Sequence, residues 1–285
     1  MRKIVLFIVL LTALLMSESG IAASTAGIVT IATGNSRLLR GPSVFKLQEG
    51  VVVSAGDVLE VGEGAQLQVE YADGTTVGLG PQSSVLITDL PSGVSKPGGF
   101  FLLTGWLKAS GLSPAGGFRT STPILALHPK SAIYVVHSAA AVTEIFIESG
   151  ELVPVAARKA ATPQETRKSG EFFSIKPGTE LEVLKRPTSQ FLATMPRIFI
   201  NTLPLRYEKF AVKPVEPVWE SEISFSDADR WLRAYPLDHK QWLTRISARL
   251  KDKDFRAMVE KSRAASPDWE AAIHAEKAFA KSNKP

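Results

Sequence analysis

Three glutamates near the middle of the chain come closest to a catalytic set: Glu144, Glu148 and Glu151. Glycoside hydrolases use two carboxylates, one as a general acid and the other as a nucleophile or base. Glu144 with Glu148, or Glu148 with Glu151, could supply such a pair from a β surface. The three residues surround a predicted Ser149-Gly150 turn, however, and exposed acids beside a hairpin turn explain them better. We therefore predict no catalytic residue here.

Other catalytic and ligand-binding patterns are missing from the sequence. The histidines contain no pair spaced for one helix face, so no zinc site is predicted from His128, His137, His239 and His274. There is no Gly-x-Ser-x-Gly elbow, no Gly-x-x-x-x-Gly-Lys phosphate loop and no Gly-x-Gly-x-x-Gly before a helix. The chain also has no cysteine for a thiolate, a disulfide or lipid attachment. We predict a non-enzymatic protein that needs no metal and no cofactor.

Residues 1–23 have the three parts of a secretory signal peptide. Met1-Arg2-Lys3 is basic, residues 4–16 are apolar, and residues 17–23 are small or polar. This apolar run is shorter than the roughly 20 residues that a membrane-spanning helix needs, and an uncleaved anchor is the less favoured alternative. Cleavage after Ala22 or Ala23 would release the rest of the chain. We therefore expect a periplasmic protein.

Residues 24–184 show short strand patterns separated by turn residues. Between Ala65 and Tyr71, apolar and polar residues alternate, which is typical of a strand with one buried face. Asp73-Gly74 follows, and both residues tolerate the positive φ of a two-residue type I′ turn. Further turns are predicted at Gly56-Asp57 and at Ser149-Gly150. The predicted fold class is mainly β, an all-β domain of the sandwich, barrel or solenoid-like kind.

Short motifs follow one another in a characteristic order over about residues 26–184. They include Ala55-Gly56-Asp57-Val58-Leu59, Tyr71-Ala72-Asp73-Gly74-Thr75, Thr104-Gly105-Trp106-Leu107, Thr122-Pro123 and Glu148-Ser149-Gly150-Glu151-Leu152-Val153. In this order they resemble the periplasmic domain of FecR-type proteins. The resemblance implies an all-β domain that senses a partner in iron-dicitrate signalling and does not catalyse. FecR proper carries a cytoplasmic segment and a membrane helix before this domain, so we carry over the fold and not sigma-factor regulation.

The C-terminal third differs in composition from the β region. Residues 185–224 contain five prolines, which predict an extended, irregular segment. We expect this segment to pack on a neighbour through Phe191, Met195, Ile198, Phe199 and Ile200. Residues 225–285 predict a small helical region, with helix starts at Ser226 and Ser266 and with tryptophans in its core.

The charge of the chain is divided unevenly. Residues 24–184 carry a net charge of −2, whereas residues 185–285 carry +6. A basic tail could attract an anionic partner such as cell-wall polymer, although we favour a solvated helical surface as the explanation.

These features together predict an exported, non-enzymatic FecR-like protein that works as a periplasmic binding or scaffold module. Its expected partner is an envelope protein, such as an outer-membrane or inner-membrane transducer, and no nucleic acid partner is expected. Two alternatives remain. One is a signalling sensor that docks on an outer-membrane transducer, and the other is a protein that binds peptidoglycan through its basic tail.

Overall fold

The computed structural model describes residues 26–90, 98–111, 118–156, 165–200, 204–234, 239–262, 267–270 and 273–274. The predicted signal peptide and the predicted helix start at Ser266 lie outside these residues. Within the described part, strands make up most of the regular structure and the helices follow in the C-terminal third. The predicted fold class, mainly β with C-terminal helices, is therefore confirmed.

Sixteen strands are connected in one sheet across the described residues. They are β1 Gly27–Thr33, β2 Ser36–Arg40, β3 Ser43–Lys46, β4 Val52–Val53, β5 Val58–Val61, β6 Gln66–Glu70, β7 Thr76–Leu79, β8 Ser84–Asp89, β9 Gly99–Ser110, β10 Arg119–Ser121, β11 Leu125–Ser138, β12 Thr143–Ala156, β13 Arg167–Lys168, β14 Phe172–Ile175, β15 Glu182–Leu184 and β16 Val218–Glu222. The main path runs β15-β14-β12-β11-β10-β9-β8-β5-β2-β3-β16. β1, β4, β6 and β7 form a branch that joins this path where β7 pairs with β9.

Long bent strands allow this sheet to enclose a core. The first half of β9 pairs with β8, and its second half pairs with β7 and β11. The bend lies at Gly105, where the φ of 94° favours glycine and where a Cβ would lie 2.4 Å from the Ser83 Cα. β12 bends at Gly150. Because each bent strand belongs to two parts of the sheet, side chains as distant as Leu59 and Phe173 meet in one hydrophobic cluster.

The segment after β15 packs on the face of the sheet opposite this core. Phe191 and Phe199 are buried against Trp106 of β9 and Phe172 of β14. Met195 and Ile198 pack beside them, as predicted, whereas Ile200 is 62% exposed and does not. The segment is also more regular than expected. It contains α1 Ser189–Thr194, a 3-10 turn at Arg197–Phe199, α2 Tyr207–Ala211 and β16.

The last part of the described chain forms a small helical layer on the sheet. It contains α3 Phe225–Leu232, α4 His239–Ile246, a 3-10 turn at Ser247–Lys251, α5 Lys253–Ser262 and helical residues at 267–270 and 273–274. Trp231, Trp242 and Trp269 are buried, as predicted, in a cluster that includes Phe101 of β9.

The start of α3 lies two residues before the predicted one. The Ser224 hydroxyl accepts a hydrogen bond from the Asp227 amide at 3.1 Å, so Ser224 and not Ser226 is the N-cap.

Candidate functional site

The Asp73-Gly74 turn joins β6 and β7, and three residues, 72–74, lie between the hydrogen-bonded Tyr71 and Thr75. Gly74 has a φ of 80°, but Asp73 does not have a positive φ, so the predicted two-residue type I′ turn is wrong. The Gly74 amide donates to the Tyr71 carbonyl at 3.0 Å, and the Tyr71 amide donates to the Thr75 carbonyl at 2.9 Å. These bonds describe a turn followed by a glycine bulge. The Asp73 carboxylate accepts from the Thr75 amide at 3.0 Å, so its role in the hairpin is structural.

The Gly56-Asp57 turn connects the sheet to the helical layer. Asp57 is buried, and its two carboxylate oxygens accept hydrogen bonds from Arg40 at 2.9 and 2.6 Å and from the Ser54 amide at 2.7 Å. The hydrogen bond to Asp57 raises the pKa of Arg40 above its usual value. The Gly56 carbonyl accepts from Arg245 of α4 at 3.0 Å. A Cβ at Gly56 would lie 2.5 Å from the Arg245 Cζ, so the turn also shapes this contact.

The predicted turn at Ser149-Gly150 is not a chain reversal. Both residues lie inside β12, which continues to Ala156 and pairs with β11 on either side of them. Gly150 has a φ of 79°, and a Cβ there would lie 2.0 Å from the Ser131 carbonyl oxygen. The prediction was wrong because a glycine that bends a strand has the same sequence signature as a glycine in a turn.

Two of the glutamates considered for catalysis contact different side chains. Glu148 forms an ion pair with Lys108 at 2.7 Å, and Glu144 contacts His137 Nδ1 at 3.0 Å. The His137 ring is stacked on Trp106 with 4.1 Å between ring centroids. Four residues along a strand place the Cα atoms of Glu144 and Glu148 ~13 Å apart. The two carboxylates bind separate partners, so their contacts do not join them as the carboxylate pair of a glycosidase.

A cleft of about 220 Å³ lies beside the hairpin tip and contains the Lys108–Glu148 ion pair. Lys108 Nζ also donates to the Phe199 carbonyl at 2.6 Å. Polar walls come from Gln68, Thr76 and Ser110, and apolar walls come from Ile133, Ile198, Phe199 and Leu205. Because the cation and the carboxylate bind each other, the charge in this cleft is balanced within the protein.

Glu70 is a fully buried carboxylate that the sequence reasoning missed. One oxygen accepts hydrogen bonds from the Arg206 and Tyr207 amides, both at 2.7 Å, at the start of α2. The other accepts from the Thr30 hydroxyl at 2.7 Å and from the Gln68 side chain at 2.8 Å. Glu70 therefore holds the segment around α2 against β1 and β6.

Glu60 has a similar role between β5 and α3. Its carboxylate forms ion pairs with Arg37 and with Arg230, and Arg37 also contacts Asp227 at 3.5 Å. Burial lowers the pKa of Arg37, but the carboxylates of Glu60 and Asp227 more than offset this effect and raise it overall. Sequence reasoning gave no signal for this role, because Glu60 was only one polar residue in the predicted strand of residues 58–61.

Strand β16 forms an exposed edge of the sheet and is a candidate binding surface. β16 pairs with β3 on one side, and no described strand pairs with its other side. All five of its side chains are exposed, including Val218 at 52% and Trp219 at 56%. The next residue, Ile223, is buried, and its amide donates to the Pro42 carbonyl at 2.7 Å. An open strand edge of this kind can accept an added strand from another chain.

The described residues offer neither a metal site nor a membrane-spanning helix. They contain no group of three or more His, Asp or Glu side chains placed to hold a metal ion. None of the helices in the described ranges is both long enough and apolar enough to cross a membrane.

Comparison with known proteins finds similar solved structures but no matching family model. No family model matches the sequence, and no curated protein matches it. Two crystal structures of a candidate anti-sigma factor from Parabacteroides distasonis are similar, each with a TM-score of 0.40 and 14% identity over 48% of this chain. The similar region covers 63% and 62% of those chains, so this chain spans less than two thirds of their length.

Proposed function

We propose that this protein is an exported, non-enzymatic binding module of the FecR type that holds a partner protein in the cell envelope. The observation that carries the proposal is the exposed edge of β16 with Val218 and Trp219 at its surface. Unpaired backbone groups at a sheet edge supply hydrogen bonds to an added strand, and exposed aromatic side chains are frequent binding hot spots.

The anchoring of β16 supports this proposal. Its ladder with β3 continues into Ile223, whose carbonyl accepts from Arg249 at 3.1 Å. The contacts of Glu60 and Glu70 hold the segments on either side of β16 to the sheet. A strand fixed in this way is already in the conformation that binding requires, which lowers the entropic cost of association.

The proposed compartment and family rest on the sequence. The signal-peptide pattern of residues 1–23 supports export, and the order of motifs in residues 26–184 supports a FecR-type domain. A sensor that docks on a membrane transducer would use the same kind of protein-binding surface. The identity of the bound protein distinguishes a sensor from a scaffold.

Peptidoglycan binding through the basic tail has less support. Several arginines of the tail bind groups of this same chain: Arg206, Arg230, Arg233, Arg245, Arg249 and Arg256. Such internal contacts favour the interpretation of the tail as a folded helical layer.

The test is site-specific photo-crosslinking in cells, with the photoreactive residue placed at Ser221 of β16 or, as a control, at Met258 of α5. We expect a discrete protein adduct at position 221 that is absent at position 258. With the captured protein purified, Trp219→Ala should weaken its binding by about 30-fold, as expected for an aromatic hot spot. Absence of an adduct at 221, or unchanged affinity of the Trp219→Ala variant, would overturn the proposal. Glycan hydrolysis that is lost in Glu148→Gln would refute its non-enzymatic part.

A further inference from the structure

We infer that the partner at β16 presents an extended segment in which Lys or Arg alternates with apolar residues, and that this segment adds to the sheet as its next strand. The inference rests on the proposed binding function and names the chemistry of the partner. Two exposed glutamates of β16 carry it, Glu220 and Glu222; a third, Glu216, lies just before β16 and interacts electrostatically with Arg40.

The negative charge of this edge is local. Residues 185–285 have a net charge of +6, yet the segment from 214 to 222 contains three glutamates and no Lys or Arg. Lys46 of β3 lies opposite Val218 and is the nearest cross-strand cation in the register. Opposite charges on neighbouring strands attract and like charges repel, so a strand with cations at alternate positions complements this edge.

The same charges disfavour a second copy of this chain as the occupant. Antiparallel pairing of two β16 strands centred on Glu220 would place one Glu220 opposite the other. Parallel pairing in register would place each glutamate beside its own copy. Both arrangements bring like charges together. The acidic edge therefore disfavours these two arrangements of a second copy relative to pairing with a basic strand.

The apolar part of the partner follows from Val218 and Trp219. Both are more than half exposed on a strand that is otherwise acidic and polar. Consecutive residues of a strand point to opposite faces, so Val218 and Trp219 lie on different faces. A partner strand with Val, Ile or Leu between its cations would cover one of them, and a cation on the face of Trp219 would gain a cation–π contact. Together, the acidic and the apolar side chains of β16 predict a partner segment in which cations and apolar residues alternate.

The experiment uses the full chain after signal removal and two acetylated eight-residue peptides. In one peptide Lys alternates with Val, and in the other Glu replaces every Lys. We expect the Lys peptide to bind more tightly by about tenfold, and we expect this preference to weaken as salt rises because exposed charges are screened. The double variant Glu220→Lys/Glu222→Lys should reverse the preference.

The matched control is Glu63→Lys/Glu180→Lys, which changes the net charge equally at two exposed positions outside β16. It should keep the preference for the Lys peptide. Equal binding of both peptides, or equal effects of the two double variants, would overturn the inference. So would a dimer that is seen by sedimentation and lost in Trp219→Ala. If crosslinking at Ser221 captures a partner without a basic strand, the inference fails while the proposed function stands.

Discussion

Tyr134 and Tyr71 are buried in the same hydrophobic core but differ in the hydrogen bonds of their hydroxyl groups. The Tyr134 hydroxyl donates to the Phe118 carbonyl at 2.7 Å and contacts Thr120 Oγ1 at 2.8 Å. Because its only proton goes to Phe118, Thr120 is the donor in the second bond. The Tyr71 hydroxyl is buried and has no hydrogen-bond partner among the described residues. Replacing each tyrosine by phenylalanine removes one oxygen atom from the same core.

The two substitutions should change the free energy of unfolding differently: Tyr134→Phe should lower it, and Tyr71→Phe should not. Tyr134→Phe removes two hydrogen bonds and leaves the Phe118 carbonyl without this donor, so it should lower the free energy of unfolding by about 2–4 kcal/mol. Tyr71→Phe removes a hydroxyl that lost water on burial without gaining a partner, so it should leave stability unchanged or raise it by ~1 kcal/mol. A difference of ~3 kcal/mol corresponds to roughly 6–12 °C in Tm for a protein of this size.

The measurement is urea unfolding of the chain after signal removal, followed by tryptophan fluorescence and repeated for both variants. The slope of free energy against urea should be the same for both, because the surface exposed on unfolding does not change. Equal losses of stability in the two variants would show that hydroxyl pairing does not decide their contributions. That result would refute the reasoning.

Three further predictions concern a buried carboxylate, two glycines and the two buried tyrosines. Glu70→Ala should weaken the attachment of α2 by about 3–6 kcal/mol, because two charge-assisted hydrogen bonds are lost. The α2 amides should then exchange hydrogen faster, and an unchanged exchange rate would contradict this. Gly150→Ala should lower the free energy of unfolding in urea more than Gly170→Ala does. Both glycines have a positive φ, but only at Gly150 would an added Cβ collide with backbone atoms. Equal losses in the two variants would contradict this. Burial raises the pKa of Tyr71 and Tyr134, so stability should be full below about pH 10 and fall above it, where the unfolded chain releases protons that the native chain retains. Phenolate absorbance of these two tyrosines should then appear only with unfolding, and its earlier appearance would contradict the assignment.

The local sequence pattern predicted an element correctly where burial of one face of that element determines its structure. The alternation of Leu67 and Val69 with polar neighbours predicted β6, and both side chains are fully buried. The buried tryptophans of the helical layer were predicted for the same reason. Local pattern failed at Gly150, because a positive φ is needed both in turns and in bent strands. It also placed the α3 cap at Ser226, although the neighbouring Ser224 has the same side chain and forms the cap.

The acidic residues show that the sequence did not predict the partners of buried or partly buried carboxylates. Glu60, Glu70 and Glu148 have the same side chain in the same kind of β segment, and by sequence all three are expected on the surface. Their partners come from distant positions: Arg230 for Glu60, the Arg206 and Tyr207 amides for Glu70, and Lys108 for Glu148. No local pattern encodes which charge a folded sheet brings to a carboxylate.

The sequence by itself determined the β class, the helical character of the C-terminal third and the absence of cysteine chemistry, because these depend on composition and on short periodic patterns. Only the tertiary structure decided that Gly105 and Gly150 bend strands and that the C-terminal segment wraps the sheet. It also decided that Val218–Glu222 is an exposed edge. These features arise from contacts between residues far apart in the chain, whose geometry is set when the whole sheet closes on its core.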